Sequence, residues 1–391
     1  MAAESAKQFE ALEAQAATLL DAFKRAGYEQ VAPSIIQPAD IFLDQIGEAI
    51  RSRTYVFTDL AGDELCLRPD LTVPVSRLYL ERHPDANAEA RYCYNGPAFR
   101  FFPDRSNRAH PREFRQAGIE CFGAKDRESA DVEVVLLAVE AVRAAGLKEF
   151  RFRFGDIALF YALLDALDLP ERWRLKLRHY FWRPPVFHKL LAGLAKGERR
   201  EGNGPIASFA STLSGMSQEK AEAAVAAYLD REGLPLAGNR TLGEITARLL
   251  DHAADLAAEP LPNEVATVID YYLAVSGPPR EAINRIALIA KGAGIDLDAA
   301  IDNCMRRFER LKTSGIDLDV AAFVTEFGRN LEYYSGLVFQ IEVGDARNAS
   351  QIAGGGRYDG LLAKLGAPRE VRAIGSAIHT ERLLAAVERK S

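Results

Sequence analysis

The chain has 391 residues, 48% of them hydrophobic and 27% charged, an ordinary composition for a water-soluble protein of two domains or of one large domain with an insertion. Lys and Arg number 49 against 55 Asp and Glu, so the net charge of -6 supplies no global positive field for a nucleic acid backbone and counts against RNA as the main partner. Cys66, Cys93, Cys121 and Cys304 show no C-x-x-C spacing and the histidines no H-x-x-x-H pair, which indicates neither a zinc site nor a disulfide framework, and points to a reducing cytoplasm.

Phe9, Leu12, Leu19, Leu20 and Phe23 alternate with Glu10, Glu13 and Lys24 at helical spacing, so the chain opens on an amphipathic helix and not a signal peptide. No apolar run approaches the ~20 residues of a membrane span. Gly27 can end the first helix, and residues 29–36 then read as a strand carrying Pro33, a residue expected at a sheet edge, where two copies could meet. Residues 54–57 and 64–68 flank Ala61-Gly62-Asp63 as a hairpin that runs into Leu67-Arg68-Pro69-Asp70-Leu71-Thr72. Asp70 and Thr72 precede a helix over 72–81, where an acid and a hydroxyl are commonly N-terminal caps.

The stretch from Arg91 to Gly123 reads as two strands joined by a long charged loop. Period-two alternation in the second strand sets Gln116, Gly118 and Glu120 on one face and Ala117, Ile119 and Cys121 on the other. A carboxylate and an amide flanking a glycine leave room for a small hydrogen-bonding ligand, although a solvated sheet face would show the same pattern. The loop and its edges hold Arg100, Arg105, Arg108, His110, Arg112 and Arg115 against Asp104 and Glu113. Such a cluster can receive an anion or can simply carry surface ion pairs. A helix over 129–145 follows, with Val132, Val135, Leu136, Val139 and Val142 at helical spacing, and 150–154 alternates again as a strand.

From about 156 to 319 the texture becomes alanine- and leucine-rich and amphipathic, broken by proline and glycine clusters, which reads as a mostly helical insertion. Strand character returns at 320–324 and 332–343. Gly354-Gly355-Gly356 follows without the Lys-Ser/Thr of a P-loop, so a tight turn is the simpler reading and a phosphate cradle the other.

LRPDLT, YNGPAFR, RQAGIECFG, FGRNLEYYSGLVF, GGGRYDGLLAKLG and IGSAIHTERLL occur in the order of the signatures of histidyl-tRNA synthetase, and the chain resembles that class II family over 1–155 and 320–391. The resemblance implies an α+β fold: an antiparallel sheet flanked by helices, dimerising through the motif 1 region near Pro33. It also implies a histidine pocket. By motif, Asp70 and Thr72 would face the ammonium, Arg100 and Gln116 the carboxylate, and Glu120, Tyr333 and Tyr334 the imidazole, with Arg329 at the carboxylate that reacts in synthetases. A zwitterion carrying an imidazole needs groups of these kinds.

The departures narrow the resemblance. Synthetases carry a Glu two residues after the motif 2 arginine to hold adenine, and here Arg100 is followed by Phe101 and Phe102. The motif 3 glycine against which adenosine lies is His379, although Arg382 is kept, and Asn330 replaces the glycine that follows Arg329. The chain stops at Ser391, so the anticodon-binding domain is expected to be missing. These features are similar to the regulatory subunits of ATP phosphoribosyltransferase, synthetase paralogues of histidine biosynthesis. That resemblance implies no catalytic residue, metal or cofactor of its own, and histidine as a feedback ligand. It implies assembly with a short-form catalytic subunit that carries the chemistry, with no nucleic acid or membrane partner. Two other readings stand beside it: a tRNA-independent amino-acid-activating enzyme, and a scaffold whose pocket is a relic.

Overall fold

In the computed structural model, residues 5–44, 48–102, 111–196, 205–234, 241–327, 333–344 and 348–389 are described. They form two compact units, 1–167 with 271–391, and 168–270.

The strands in chain order are β1 (Glu29–Gln30), β2 (Ile36–Pro38), β3 (Tyr55–Thr58), β4 (Glu64–Leu67), β5 (Ala90–Phe99) and β6 (Glu113–Phe122). They continue as β7 (Arg151–Asp156), β8 (Ser276–Gly277), β9 (Ala322–Val324), β10 (Leu337–Val343), β11 (Ser350–Arg357) and β12 (Ala373–His379). Nine of these build one sheet in the order β1-β5-β6-β12-β11-β10-β7-β9-β8, and β2-β4-β3 form a smaller one. The run from β5 to β7 is antiparallel throughout, whereas β1 joins β5, and β9 joins β7, in parallel.

The two faces of the large sheet differ in chemistry, because period two sorts each strand. One carries Cys93, Ile119, Ile374, Phe339, Phe154 and Phe323, all essentially buried. Helices Ala6–Arg25, Arg127–Ala144 and Thr380–Glu388 lie against it, and Phe308 of helix Asp298–Thr313 meets the Phe154 and Phe323 rings at 5.3 and 6.0 Å. Helix Arg127–Ala144 buries residues nearly all round, since it sits between the sheet and two other helices; a single apolar stripe is therefore too narrow a description of it.

The division of the chain falls at Leu167 and Tyr271, not at 155 and 320. Helices Ile157–Ala166, Pro279–Gly292 and Asp298–Thr313, counted with the insertion on sequence, belong to the sheet unit. A buried ion network ties the last of them in. Arg307 reaches Asp131 at 3.0 Å and Asp156 at 2.6 Å, and Arg357 reaches Asp131 at 2.6 Å and Asp359 at 2.8 Å. Within 168–270, Leu213, Ala221, Val225 and Ala253 centre a helical core, and Arg172 bridges Asp251 and Asp255. Thr241 and Glu244 form a reciprocal capping box at the head of helix Leu242–Ala257.

Candidate functional site

The second face of the sheet carries Tyr94, Gln116, Gly118, Glu120 and Gly375, in the alternation expected for β6. It is not a solvated face: Glu120 is fully buried, and Asp70, Gln116 and Tyr94 nearly so. Glu120 pairs in register with Gly375, and a Cβ at Gly375 would overlap the Glu120 carboxylate. A Cβ at Gly118 would stand 2.5 Å from the Tyr94 hydroxyl. These two glycines make the floor on which both side chains lie.

Hydroxyl donors converge on Glu120. Tyr94 Oη donates to Oε1 at 3.0 Å and Tyr358 Oη donates to Oε2, and Thr72 lies close to Glu120 and Tyr94. Burial pushes the Glu120 carboxyl up to about 8, against the opposing pull of the Tyr358, Thr72 and Tyr94 hydroxyls. Burial and the adjacent carboxylate raise both phenols as well.

Asp70 supplies the second buried acid. Its Oδ1 accepts from the Val73 amide at 3.2 Å, as a helix cap does, while Oδ2 has no hydrogen-bond partner among the described residues. Burial raises its carboxyl, and Arg100, the Val73 amide and Arg68 act in the other direction. Thr72 is no cap, because it is already the first residue of helix Thr72–Arg82 and Leu71 holds the N-cap position. Arg68 is itself buried, donating Nε to the Pro97 carbonyl at 2.8 Å and Nη1 to that of Pro33. It thus ties the turn before β2 to the pocket wall.

At the Gln116 end, Arg100 donates Nε to the Pro69 carbonyl at 2.8 Å and holds its guanidinium 5.1 Å from the Phe114 ring centre. The His379 ring lies 5.5 Å from the same ring, tilted to it, so a cation and two rings meet where the sequence departs from the synthetase pattern. Gln116 Oε1 is buried without a partner among the described residues. Tyr333 and Tyr334 are buried side by side, and Tyr333 stands 5.7 Å from Tyr358 in an edge contact. Of the sequence candidates, the fold therefore gathers Asp70, Thr72 and Glu120, with Tyr333 against Tyr358 and Arg100 and Gln116 toward the same face. Arg329 and Asn330 lie outside the described residues, as do Arg105, Arg108 and His110.

Two expectations change. The basic residues flanking the loop diverge: Arg100 turns to the pocket, whereas Arg115 pairs with Glu13 and covers the Phe9 ring on the opposite side of β6. Gly354-Gly355-Gly356 is neither a turn nor a phosphate cradle but the middle of β11, pairing with Gln340, Phe339 and Val338. Tyr94, Tyr358 and Arg68 were not singled out on sequence. The register of β5 against β6 is the signal that would have found Tyr94, since it faces Gly118.

A nine-stranded sheet with an antiparallel centre and flanking helices, carrying buried acids and hydroxyls over a glycine floor on one face, is a class II synthetase-type fold. The family model described as histidyl-tRNA synthetase matches residues 4–186 and 213–383. Solved structures agree in fold. One titled an ATP phosphoribosyltransferase regulatory subunit/histidyl-tRNA synthetase, from Bacillus halodurans, superposes with a TM-score of 0.64 at 20% identity, covering 99% of this chain and 82% of that one. A histidine–tRNA ligase subunit from Alicyclobacillus acidocaldarius gives 0.59 at 25% identity, covering 100% and 96%. Among curated relatives, the ATP phosphoribosyltransferase regulatory subunits of Brucella anthropi and Agrobacterium fabrum are each 34% identical, over 91% and 95% of this chain and 92% and 96% of theirs. The chain belongs to this family of histidyl-tRNA synthetase-like ATP phosphoribosyltransferase regulatory subunits.

Proposed function

We propose that the chain assembles with a short-form ATP phosphoribosyltransferase catalytic subunit in the cytoplasm, leaves the chemistry to that partner, and transmits feedback by histidine. The observation that carries this reading is Glu120, a fully buried carboxylate met by several hydroxyls on a glycine floor. In this reading Glu120, with Tyr333 and Tyr334, takes the imidazole. Asp70 and Thr72 take the ammonium, Arg100 and Gln116 the carboxylate, and Arg329 closes the carboxylate end. The pocket needs no metal or cofactor. Feedback then requires only that histidine favour one state of the complex over another.

A homodimer forms part of the proposal. Ile36, Pro38, Tyr55, Phe57, Leu65 and Leu67 share one face of the small sheet beside Pro33, and Ile36 and Phe57 are exposed there. An apolar sheet face of this kind suits a second copy.

The test is a pair of titrations, histidine binding by calorimetry and histidine inhibition of the complex reconstituted with its catalytic subunit. Glu120→Ala should weaken both by about five- to a hundred-fold, the ~1–3 kcal/mol of an unpaired buried donor, and leave the uninhibited rate mostly intact. Unchanged binding and inhibition would move the regulatory site away from this pocket. The activating-enzyme reading is favoured by Arg382, half-buried at the Gln351 carbonyl. Histidine-dependent exchange of pyrophosphate into ATP by the purified chain would put that reading first. Tight, salt-sensitive tRNA binding would overturn the exclusion of nucleic acid.

A further inference from the structure

Glu120 is set among hydrogen-bond donors, and among the described residues it meets no counter-charge. The groups facing it are Tyr94 from β5, Tyr358 beyond β11, Thr72 and Asp70 from the turn into helix Thr72–Arg82, and the bare backbone of Gly375 from β12. On its own strand it shares the face with Gln116, and Tyr92 is its register partner on β5. Tyr333 stands behind Tyr358, and Arg68 and Arg100 act on Asp70. Among the described residues no Lys, Arg or His forms an ion pair with Glu120. Hydroxyls of this kind stabilise a carboxylate anion, yet burial opposes the anion until a cation arrives.

We infer that the pocket selects its ligand's ring as a cation: histidine is held as the imidazolium against the Glu120 carboxylate, with a proton that Glu120 itself supplies. The proton leaves the Glu120 carboxyl and settles on a ring nitrogen, and no other bond is made or broken. This rests on the reading of the pocket as a histidine site. The bound pair holds one proton between carboxylate and ring. With Glu120 raised to about 8 in the free protein and a free imidazole near ~6.5, that proton is already present, on one partner or the other, between those limits. Above them one proton must be taken up from solvent, and below them one must be released.

The experiment is calorimetric titration of the full chain with histidine from pH 5.5 to pH 9, in buffers of different ionisation enthalpy. Affinity should be level around pH 7 with no net proton exchange. It should fall about tenfold by pH 9 with uptake of about one proton, and about tenfold by pH 5.5 with release of about one. The analogue 1,2,4-triazole-3-alanine keeps the shape and the ring N–H but resists protonation, and should bind at least tenfold more weakly at pH 7. Glu120→Gln should abolish the alkaline limb of whatever binding remains. Tyr358→Phe removes a donor to the carboxylate and should move the alkaline limb to higher pH. Equal affinity at pH 7 and pH 9 without proton uptake, or a triazole analogue that matches histidine, overturns the inference while leaving the histidine site standing. Failure of histidine to bind at any pH, to the chain or to its complex, overturns the histidine site as well.

Discussion

Glu120 and Gly375 face each other across β6 and β12, and the carboxylate of the first lies over the α-carbon of the second. Any side chain at 375 must displace the acid on which the pocket depends. Gly375→Ala puts a methyl group onto the carboxylate and close to the Ile119 carbonyl, and a strand held on both sides cannot step back. Overpacking of this sort costs about 1–3 kcal/mol. Denaturant unfolding should show that loss, and calorimetry should show histidine affinity falling at least tenfold. A variant that binds histidine normally would mean that the Glu120 carboxylate is not where the ring sits.

The free protein should lose stability as it becomes more alkaline. Burial holds Glu120 at about 8 against an ordinary 4.5, so the folded chain keeps a proton that the unfolded chain gives up between those values. The stabilisation is complete below pH 4.5, is lost as pH rises toward 8, and changes no further above that, at about 1.4 kcal/mol for each unit crossed. Urea denaturation from pH 5 to pH 8.5 measures this slope. Glu120→Gln should remove that share and leave the smaller slope of other raised carboxyls such as Asp70, and identical slopes in the two proteins would contradict the assignment.

Asp70→Asn separates the two roles of that residue. Asparagine keeps an oxygen for the Val73 amide and drops a charge that burial disfavours, so the empty protein should be as stable as the unmodified chain or slightly more so. Histidine affinity should nevertheless fall, by the ~1.5–3 kcal/mol of a hydrogen bond between charged groups. Full retention of affinity would place the ammonium elsewhere.

Asp131→Ala should be the most damaging of these changes, because Asp131 lies between Arg307 and Arg357, both buried. Removing one partner of a buried ion network costs about 3–5 kcal/mol. Urea unfolding should register a loss of that size. A loss below about 1 kcal/mol would show that Asp156 and Asp359 suffice to compensate the two arginines.

The sequence by itself determined the alternation of β6, the hairpin of β3 and β4 and the first helix, while the grouping of Asp70, Thr72 and Glu120 came only as an implication of the family resemblance. Those three elements rest on local periodicity or on a continuous motif, and side-chain period and turn chemistry act within a few residues. It did not determine where the helical unit ends. An apolar stripe looks the same on a helix that packs against a sheet and on one that packs against other helices; the meeting of Arg307 with Asp131 and Asp156, and of Phe308 with Phe154 and Phe323, assigns helix Asp298–Thr313 to the sheet. The glycine run 354–356 reads locally as a turn; pairing with β10 and β12 makes it a strand. The cage around Glu120 was equally hidden. Tyr94 lies 26 residues from it in the chain and Tyr358 lies 238, and the pairing of β5 with β6, together with the chain leaving β11 at Tyr358, brings their hydroxyls onto one carboxylate.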